Sequence, residues 1–215
     1  MNPKLQLRPE APQDHREVEQ VIREAFWNRY QPGCYEHYLM HRMRNSPDFV
    51  PELSYVACLN GRVVGQIAYT RASIQKAPET RWPVLCFGPV SVLPQMQRQG
   101  IGDALIRHTL DLARRQGYPA VFICGDPAYY SRFGFQPAEA FQIRNREGLY
   151  AAALQVIELY SNALLHVSGC FWDAPVFEQL DTGQAELFDR QFPKKQKEVT
   201  PSQTRFLELA SMVHP

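Results

Sequence analysis

The spacing of hydrophobic residues predicts alternating strands and helices over the first 160 positions. Leu5–Arg8 fits a short strand. From Asp14, the predicted cap, apolar residues at 18, 21, 22, 25 and 26 repeat every three or four positions, as on one face of an amphipathic helix. Pro32-Gly33 is expected to end this helix, and a second helix is predicted over about Tyr35–Arg44.

The next stretch predicts a β-hairpin and then further strands and helices. Asn60-Gly61 lies between two apolar runs and accepts positive φ at both positions, which predicts a type I′ turn. A strand over 84–92 follows, interrupted by Gly88-Pro89, and then a helix over 101–115. After them we predict a short strand over 120–124, a short helix over 127–133 and a last strand within 149–160. The order β-α-α-β-β-β-α-β-α-β indicates a mixed α/β architecture with helices flanking a central sheet.

The remainder of the chain differs in pattern. We predict a domain over residues 1–160 and a C-terminal extension over 161–215 that packs on it. In the extension, Thr200-Pro201-Ser202-Gln203 is typical of a capping box at the start of a helix over about 201–213. An apolar face on that helix predicts that it docks against the domain.

Composition and charge narrow the class of protein. A net charge of +1 gives no reason to expect a nucleic-acid or membrane partner, and no secretory leader pattern precedes the first strand, so a cytoplasmic protein is expected. The five cysteines are scattered and form no metal-binding spacing, so neither zinc nor a disulfide framework is expected. Cys86 and Cys124 lie in apolar runs and are expected to be buried.

The start of the helix at Ile101 carries the clearest chemical signal. Gly100 and Gly102 in Gln97-Arg-Gln-Gly-Ile-Gly102 leave room for an anion at a helix N-terminus, where backbone amides lack partners. Taken alone, the hexapeptide fits a phosphate cradle and a flexible helix start equally well. The Walker spacing and the third glycine of a dinucleotide motif are both missing.

The strand before this loop favours the cradle and narrows the ligand. Pro89 cannot donate to a central ladder, so it marks an edge, a bulge or a point where strands part. A parted strand leaves backbone groups near Val90–Val92 free to pair with an extended amide. An amide chain that ends in a pyrophosphate describes the pantetheine arm of coenzyme A.

A second cluster lies one strand later, in Gly125-Asp-Pro-Ala-Tyr-Tyr-Ser-Arg-Phe-Gly134-Phe135. Asp126 before Pro127 is typical of a helix cap, and Gly134 is expected to end the short helix. Tyr129 and Tyr130 lie on that helix, where a phenol near a thioester could protonate a departing thiolate, or where both rings could simply be packed.

These two motifs resemble those of the GNAT superfamily of N-acyltransferases. Gln97-x-x-Gly100-x-Gly102 is similar to the family's [Q/R]xxGx[G/A] motif, and Tyr130-x-x-x-Gly134-Phe135 is similar to its YxxxGF segment. The resemblance covers about residues 4–160 and implies the GNAT fold, a mixed central sheet with splayed strands. It implies acetyl-CoA, or a related acyl-CoA, as donor, a primary amine of a small molecule or peptide as acceptor, and no metal.

The resemblance also implies roles for particular residues. Tyr130 would be the general acid, with Tyr129 as the substitute. Backbone groups of Val90, Ser91 and Val92 would bind pantetheine. The amides that would hold the pyrophosphate are those of Arg98, Gln99, Gly100, Ile101, Gly102 and Asp103.

The chain departs from the family pattern at the general base. No acidic residue occurs from Trp82 to Val92, where many members carry a glutamate. Asp126 is better explained as a cap and His108 as a packed side chain, so the base is unassigned. This departure leaves open a non-catalytic acyl-CoA-binding module as the alternative, and a protein-modifying enzyme shares the same donor site.

The acceptor side is less defined by the sequence. Aromatic residues could line its mouth or belong to the core; they are Phe26, Trp27, Tyr30, Tyr35 and Tyr38. The extension could cover the acceptor side or a homodimer surface.

Overall fold

The computed structural model describes residues 5–77 and 79–215. Its strands are β1 Gln6–Pro9, β2 Tyr55–Leu59, β3 Arg62–Ala77, β4 Thr80–Val92, β5 Ala120–Cys124, β6 Gln136–Pro137, β7 Ile143–Arg144, β8 Tyr150–Ala151, β9 Leu154–Glu158, β10 Gly169–Trp172 and β11 Val213–His214. Its α-helices are α1 His15–Phe26, α2 Glu36–Met43, α3 Ile101–Arg115, α4 Pro127–Tyr130, α5 Thr182–Asp189 and α6 Pro201–Ser211.

A mixed sheet with strand order β1-β2-β3-β4-β5-β9-β6 forms the centre of the protein. All its neighbours are antiparallel except β4 and β5, which run parallel. The predicted turn is present, since Asn60 and Gly61 have φ of 51° and 78°. The predicted mixed α/β fold class is therefore confirmed.

Helices cover both faces of this sheet. On one face, Leu105 and Ile106 of α3 pack with Leu85 and Val121, and the Tyr69 hydroxyl lies 2.8 Å from Thr109 Oγ1. On the other face, α1 and α2 bury residues such as Ile22 against β2 and β3. Helices α1 and α3 thus pack on opposite sides of β3 and β4, the central strands of the sheet.

The residues after position 160 are joined to the domain rather than separate from it. Strand β10 pairs with β3 through Cys170–Gln75 and Trp172–Ser73, and β11 pairs with β8. Helix α6 lies within the predicted range, but its capping box is wrong. Thr200 makes no side-chain cap bond and instead donates its hydroxyl to the carbonyl of Asn28 at 2.7 Å.

Asp14 likewise precedes α1 without capping it. Its carboxylate pairs with Arg8 (2.8 Å from Oδ1 to Nη2), and this ion pair and hydrogen bond lower the pKa of Asp14. Helix α1 ends at Phe26, six positions before Pro32, because Trp27 leaves helical geometry with a ψ of 123° and Asn28 follows with a φ of 59°. In residues 5–77 and 79–215, no helix has both the length and the apolar character needed to cross a membrane.

Candidate active site

A cleft of about 690 Å³ lies where β4 and β5 separate. The two strands pair only at Leu85–Val121 and Cys86–Phe122 within the described chain. Beyond Cys86, Gly88 and Pro89 together face the single residue Ala68 of β3, so β4 bulges and turns away from β5. The Pro89 interruption thus marks both a bulge and the point where the strands part, two of the three options that the sequence left open.

The register of β3 and β4 decides which backbone groups face the cleft. Leu93 N–H donates to the Val64 carbonyl at 2.9 Å, and residues of an antiparallel strand bond alternately to each side. Ser91 therefore bonds to Gln66 of β3, whereas Val90 and Val92 turn their N–H and C=O groups toward the gap. The carbonyl of Val92 already accepts a hydrogen bond from Gln97 Nε2 at 3.0 Å.

Ser91 faces the cleft differently from its two neighbours. Its backbone belongs to the β3 ladder, although the residue still borders the cleft. Gln66, which is buried, donates through Nε2 to the Pro89 carbonyl at 3.0 Å and to Ser91 Oγ at 3.3 Å. Gln66 on β3 therefore fixes the position of the separated part of β4 through these two hydrogen bonds.

The loop into α3 presents a helix N-terminus to the same cleft. Arg98 and Gly100 adopt φ of 59° and 82°, and the first helical hydrogen bond runs from Ala104 N–H to the Gly100 carbonyl at 2.9 Å. The amides before Ala104 thus have no acceptor inside the helix. Five of the six predicted cradle residues line the cleft; they are Arg98, Gly100, Ile101, Gly102 and Asp103. Gln99 lies outside that lining, with its side chain bonded to the Gln95 carbonyl at 3.2 Å.

Tyr130 and Tyr129 lie at different depths in the cleft. Tyr130 is only 8% exposed, and its ring packs between Phe87 and Phe135 and so close to Gly125 that a Cβ there would overlap it. Burial raises the pKa of Tyr130 above its ordinary value, and the neighbouring Tyr30 and Tyr129 add to the effect, so the phenol keeps its proton at neutral pH.

Tyr129, also on α4, is 39% exposed, and its hydroxyl lies beside the start of α3. Its hydroxyl is 3.3 Å from where a Cβ would stand on Gly102, and the Arg132 guanidinium covers its ring at 4.1 Å. Arg132 also pairs with Asp103 at 2.6 Å. This places Tyr129 beside the helix-terminal amides, whereas Tyr130 lies beside the separated strands.

The weaker candidates occupy ordinary structural positions. Asp126 caps α4 by accepting the Ala128 N–H at 3.0 Å, although it also borders the cleft. His108 packs against Tyr55 with ring centroids 4.8 Å apart, outside the cleft lining. Cys86 is buried as expected, but the same expectation is wrong for Cys124, which ends β5 at the strand separation and is exposed to the cleft.

The opposite wall of the cleft comes from the end of α1 and the loop after it. Phe26 and Tyr30 line it together with Ala25 and Arg29. The sequence left open whether five aromatic residues line the acceptor mouth or belong to the core. Three of them lie outside this lining: Trp27, Tyr35 and Tyr38. Periodicity assigned Phe26 to a helix face but gave no signal for Arg29 and Tyr30, because they follow the unpredicted turn at Asn28.

Comparison with known proteins gives consistent matches. The family model of the acetyltransferase (GNAT) domain matches residues 6–138. The N-acetyltransferase YhbS of Escherichia coli K12 is 32% identical over 164 residues, covering 76% of this chain and 92% of that protein. The crystal structure of YhbS from Escherichia coli in complex with CoA matches with a TM-score of 0.74 and 27% identity, covering 84% of this chain and 96% of that one.

A second solved structure agrees. A GNAT family acetyltransferase from Brucella melitensis in complex with acetyl-CoA matches with a TM-score of 0.65 and 29% identity, covering 81% of this chain and 98% of that one. Among the residues that the structure describes, no three or more His, Cys, Asp or Glu side chains are grouped so as to hold a metal ion.

Proposed function

The chain belongs to the GNAT family of acetyltransferases and uses acetyl-CoA as its acyl donor, and we propose that it transfers the acetyl group directly to a primary amine within a ternary complex. The acceptor in this proposal is a small molecule or a peptide. One observation carries the proposal: β4 parts from β5 immediately before a helix that opens with glycine and unpaired amides.

The two halves of the donor suit the two halves of the cleft. The N–H and C=O of Val90 and the N–H of Val92 would pair with the amides of pantetheine as a neighbouring strand would, with Ser91 between them. The amides of the loop from Arg98 to Asp103 would hold the pyrophosphate, where the helix dipole favours negative charge. A Cβ on Gly102 would stand 3.3 Å from the Tyr129 hydroxyl, a tight contact that favours glycine at this position.

Tyr130 fits the role of general acid in the transfer. The amine lone pair attacks the thioester carbonyl carbon, the C–S bond breaks, and the phenol gives its proton to the departing thiolate while the amine loses a proton to water. Backbone N–H groups of the parted strand would polarise the carbonyl as negative charge develops. The position of Tyr130 supports this role, because it lines the cleft and packs against Phe87 of β4, where β4 separates from β5.

Turnover of a Tyr130→Phe variant tests the assignment. We expect turnover to fall by about 100-fold, in the range for a lost general acid, with little change in acetyl-CoA affinity. Tyr129→Phe is the matched control, since Tyr129 lies beside the helix amides instead. Unchanged turnover in Tyr130→Phe would remove Tyr130 from the mechanism, and a larger loss in Tyr129→Phe would reassign the role.

The acceptor is to be identified by acetyl-CoA consumption across polyamines, amino acids, aminoglycosides and peptide N-termini. Thermal stabilisation by acetyl-CoA should exceed that by NAD or ATP. The lack of a carboxylate on β4 from Trp82 to Val92 supports one alternative, a non-catalytic acyl-CoA-binding module. Tight CoA binding without transfer to any amine would favour that alternative. A cytoplasmic location, the absence of a nucleic-acid partner and a homodimer stay predictions.

A further inference from the structure

The segment from Gln196 to Phe206, which we call the brace, is bonded to the loop after α1. Four side chains and one backbone amide take part in its hydrogen bonds with Trp27 and Asn28. Trp27 Nε1 and Asn28 Nδ2 donate to the Gln196 carbonyl at 2.8 and 3.1 Å. Glu198 N–H donates to Asn28 Oδ1 at 3.1 Å, and Thr200 Oγ1 and Gln203 Nε2 donate to the Asn28 carbonyl at 2.7 and 3.1 Å.

The loop needs donors from outside because its own backbone leaves acceptors unpaired. At the end of a helix the last carbonyls have no intrahelical partner. Asn28, with a φ of 59°, turns the chain here and exchanges hydrogen bonds with Gly33 at 2.9 and 2.7 Å. The next carbonyl, that of Arg29, accepts from Ser202 Oγ at 2.8 Å. The brace therefore fixes the direction in which the chain leaves α1.

The brace also packs against the aromatic wall of the cleft. The ring of Phe206 lies 4.5 Å from that of Tyr30, whose other neighbour is Phe26 at 5.6 Å. Helix α1, which ends at Phe26, packs against β3 and β4, and Phe26, Tyr30 and Tyr130 line the same cleft. The wall that the brace holds thus borders β4, the strand that parts from β5.

We infer that the brace positions the wall of Phe26 and Tyr30 over the pantetheine and thioester half of the donor. This inference rests on the proposed function of the cleft. The nucleotide half would be held by the loop into α3, whose residues make no described contact with the brace. Perturbing the brace should consequently weaken binding of the pantetheine arm and leave binding of the nucleotide unchanged.

Two ligands separate these effects in titration calorimetry: coenzyme A, and adenosine 3′,5′-diphosphate, which lacks pantetheine. For Phe206→Ala, which removes one aromatic pair, we expect coenzyme A to bind about 5-fold more weakly and the nucleotide to bind as in the wild type. Thr200→Val, which removes one hydrogen bond to Asn28 without changing side-chain volume, should act in the same direction. Leu207→Ala is the control, because Leu207 is the next residue on α6 and is 64% exposed.

The outcomes distinguish a positioning role from a merely stabilising one. Recovery of coenzyme A affinity in Phe206→Tyr would support the inference. Wild-type affinity for coenzyme A in both Phe206→Ala and Thr200→Val would overturn it, and so would equal weakening of both ligands together with a lower melting temperature. A wild-type protein that binds neither ligand would refute the proposed function itself, and the inference with it.

Discussion

Replacing Asp189 by alanine should leave a buried guanidinium without its counter-ion. Arg23 on α1 is 1% exposed, and its Nε and Nη2 lie 2.6 and 3.2 Å from the carboxylate of Asp189 at the end of α5. Its third nitrogen, Nη1, has no hydrogen-bond partner among the described residues. The Asp189 carboxylate is thus the acceptor on which this buried charge depends.

The size of the effect follows from this burial. Breaking a buried ion pair by removing one partner costs about 3–5 kcal/mol of unfolding free energy. Asp189 is 23% exposed, so water can enter the vacated site and the loss should lie near the lower end, about 3 kcal/mol. The ring of Trp27, 4.2 Å from the Arg23 guanidinium carbon, remains in the variant and offsets part of the loss. Domains of ordinary stability unfold at about 5–15 kcal/mol, so this loss is easily measured.

Urea unfolding at pH 7.5 is the assay. Asp111→Ala is the matched control, because it breaks a 2.6 Å ion pair with Arg115 that is exposed on both sides and should cost less than about 0.5 kcal/mol. Replacing both partners, as Arg23→Met with Asp189→Leu, should restore most of the stability, since no unpaired charge is then buried. A loss below about 1 kcal/mol in Asp189→Ala would refute the reasoning, because it would show that Arg23 is solvated or otherwise neutralised.

Two further predictions concern His37 and the glycines before and within α3. Burial lowers the pKa of His37; Asp189 opposes this shift and Arg23 adds to it. The unfolded chain therefore binds a proton that the folded chain excludes. The free energy of unfolding should therefore be highest above about pH 6.5 and fall by about 2 kcal/mol at pH 5. Urea unfolding of His37→Gln at several pH values should show a smaller fall than the wild type. Equal falls in the two proteins would contradict the assignment to His37. Gly100→Ala should lower the free energy of unfolding by about 1 kcal/mol, because Gly100 has a φ of 82°. Gly102→Ala should keep the stability of the wild type but bind coenzyme A more weakly. Unchanged affinity of Gly102→Ala in titration calorimetry would contradict the phosphate role.

The elements that the sequence predicted best are those determined by neighbouring residues. The Asn60-Gly61 turn, helix α3 over 101–115 and strand β5 over 120–124 depend on local turn chemistry and periodicity, and each lies where it was predicted. Gly134, with a φ of 94°, ends the short helical segment as expected. The donor side of the candidate site could be predicted from the sequence for the same reason, because the residues that indicate it lie in two short motifs.

The misses involve side chains whose partners are distant in the sequence. Asp14 and Thr200 are both good cap residues, yet Asp14 pairs with Arg8 and Thr200 bonds to the Asn28 carbonyl. A local pattern records the capacity of a side chain to cap but not the competing partner that tertiary structure supplies. Cys124 was misassigned similarly, since the apolar run around it indicates a buried strand and cannot show that the neighbouring strand departs.

The brace has a consequence for the time course of synthesis. Its hydrogen bonds to the loop after α1 join residues 168 to 175 positions apart. At ordinary translation rates, the residues around Asn28 leave the ribosome about 10–30 s before their partners do. During that interval the nascent chain can form its hairpin and α3, but the loop after α1 lacks the donors that the brace supplies. We therefore expect the nascent protein to bind the nucleotide half of its donor before it can hold the half that carries the acetyl group.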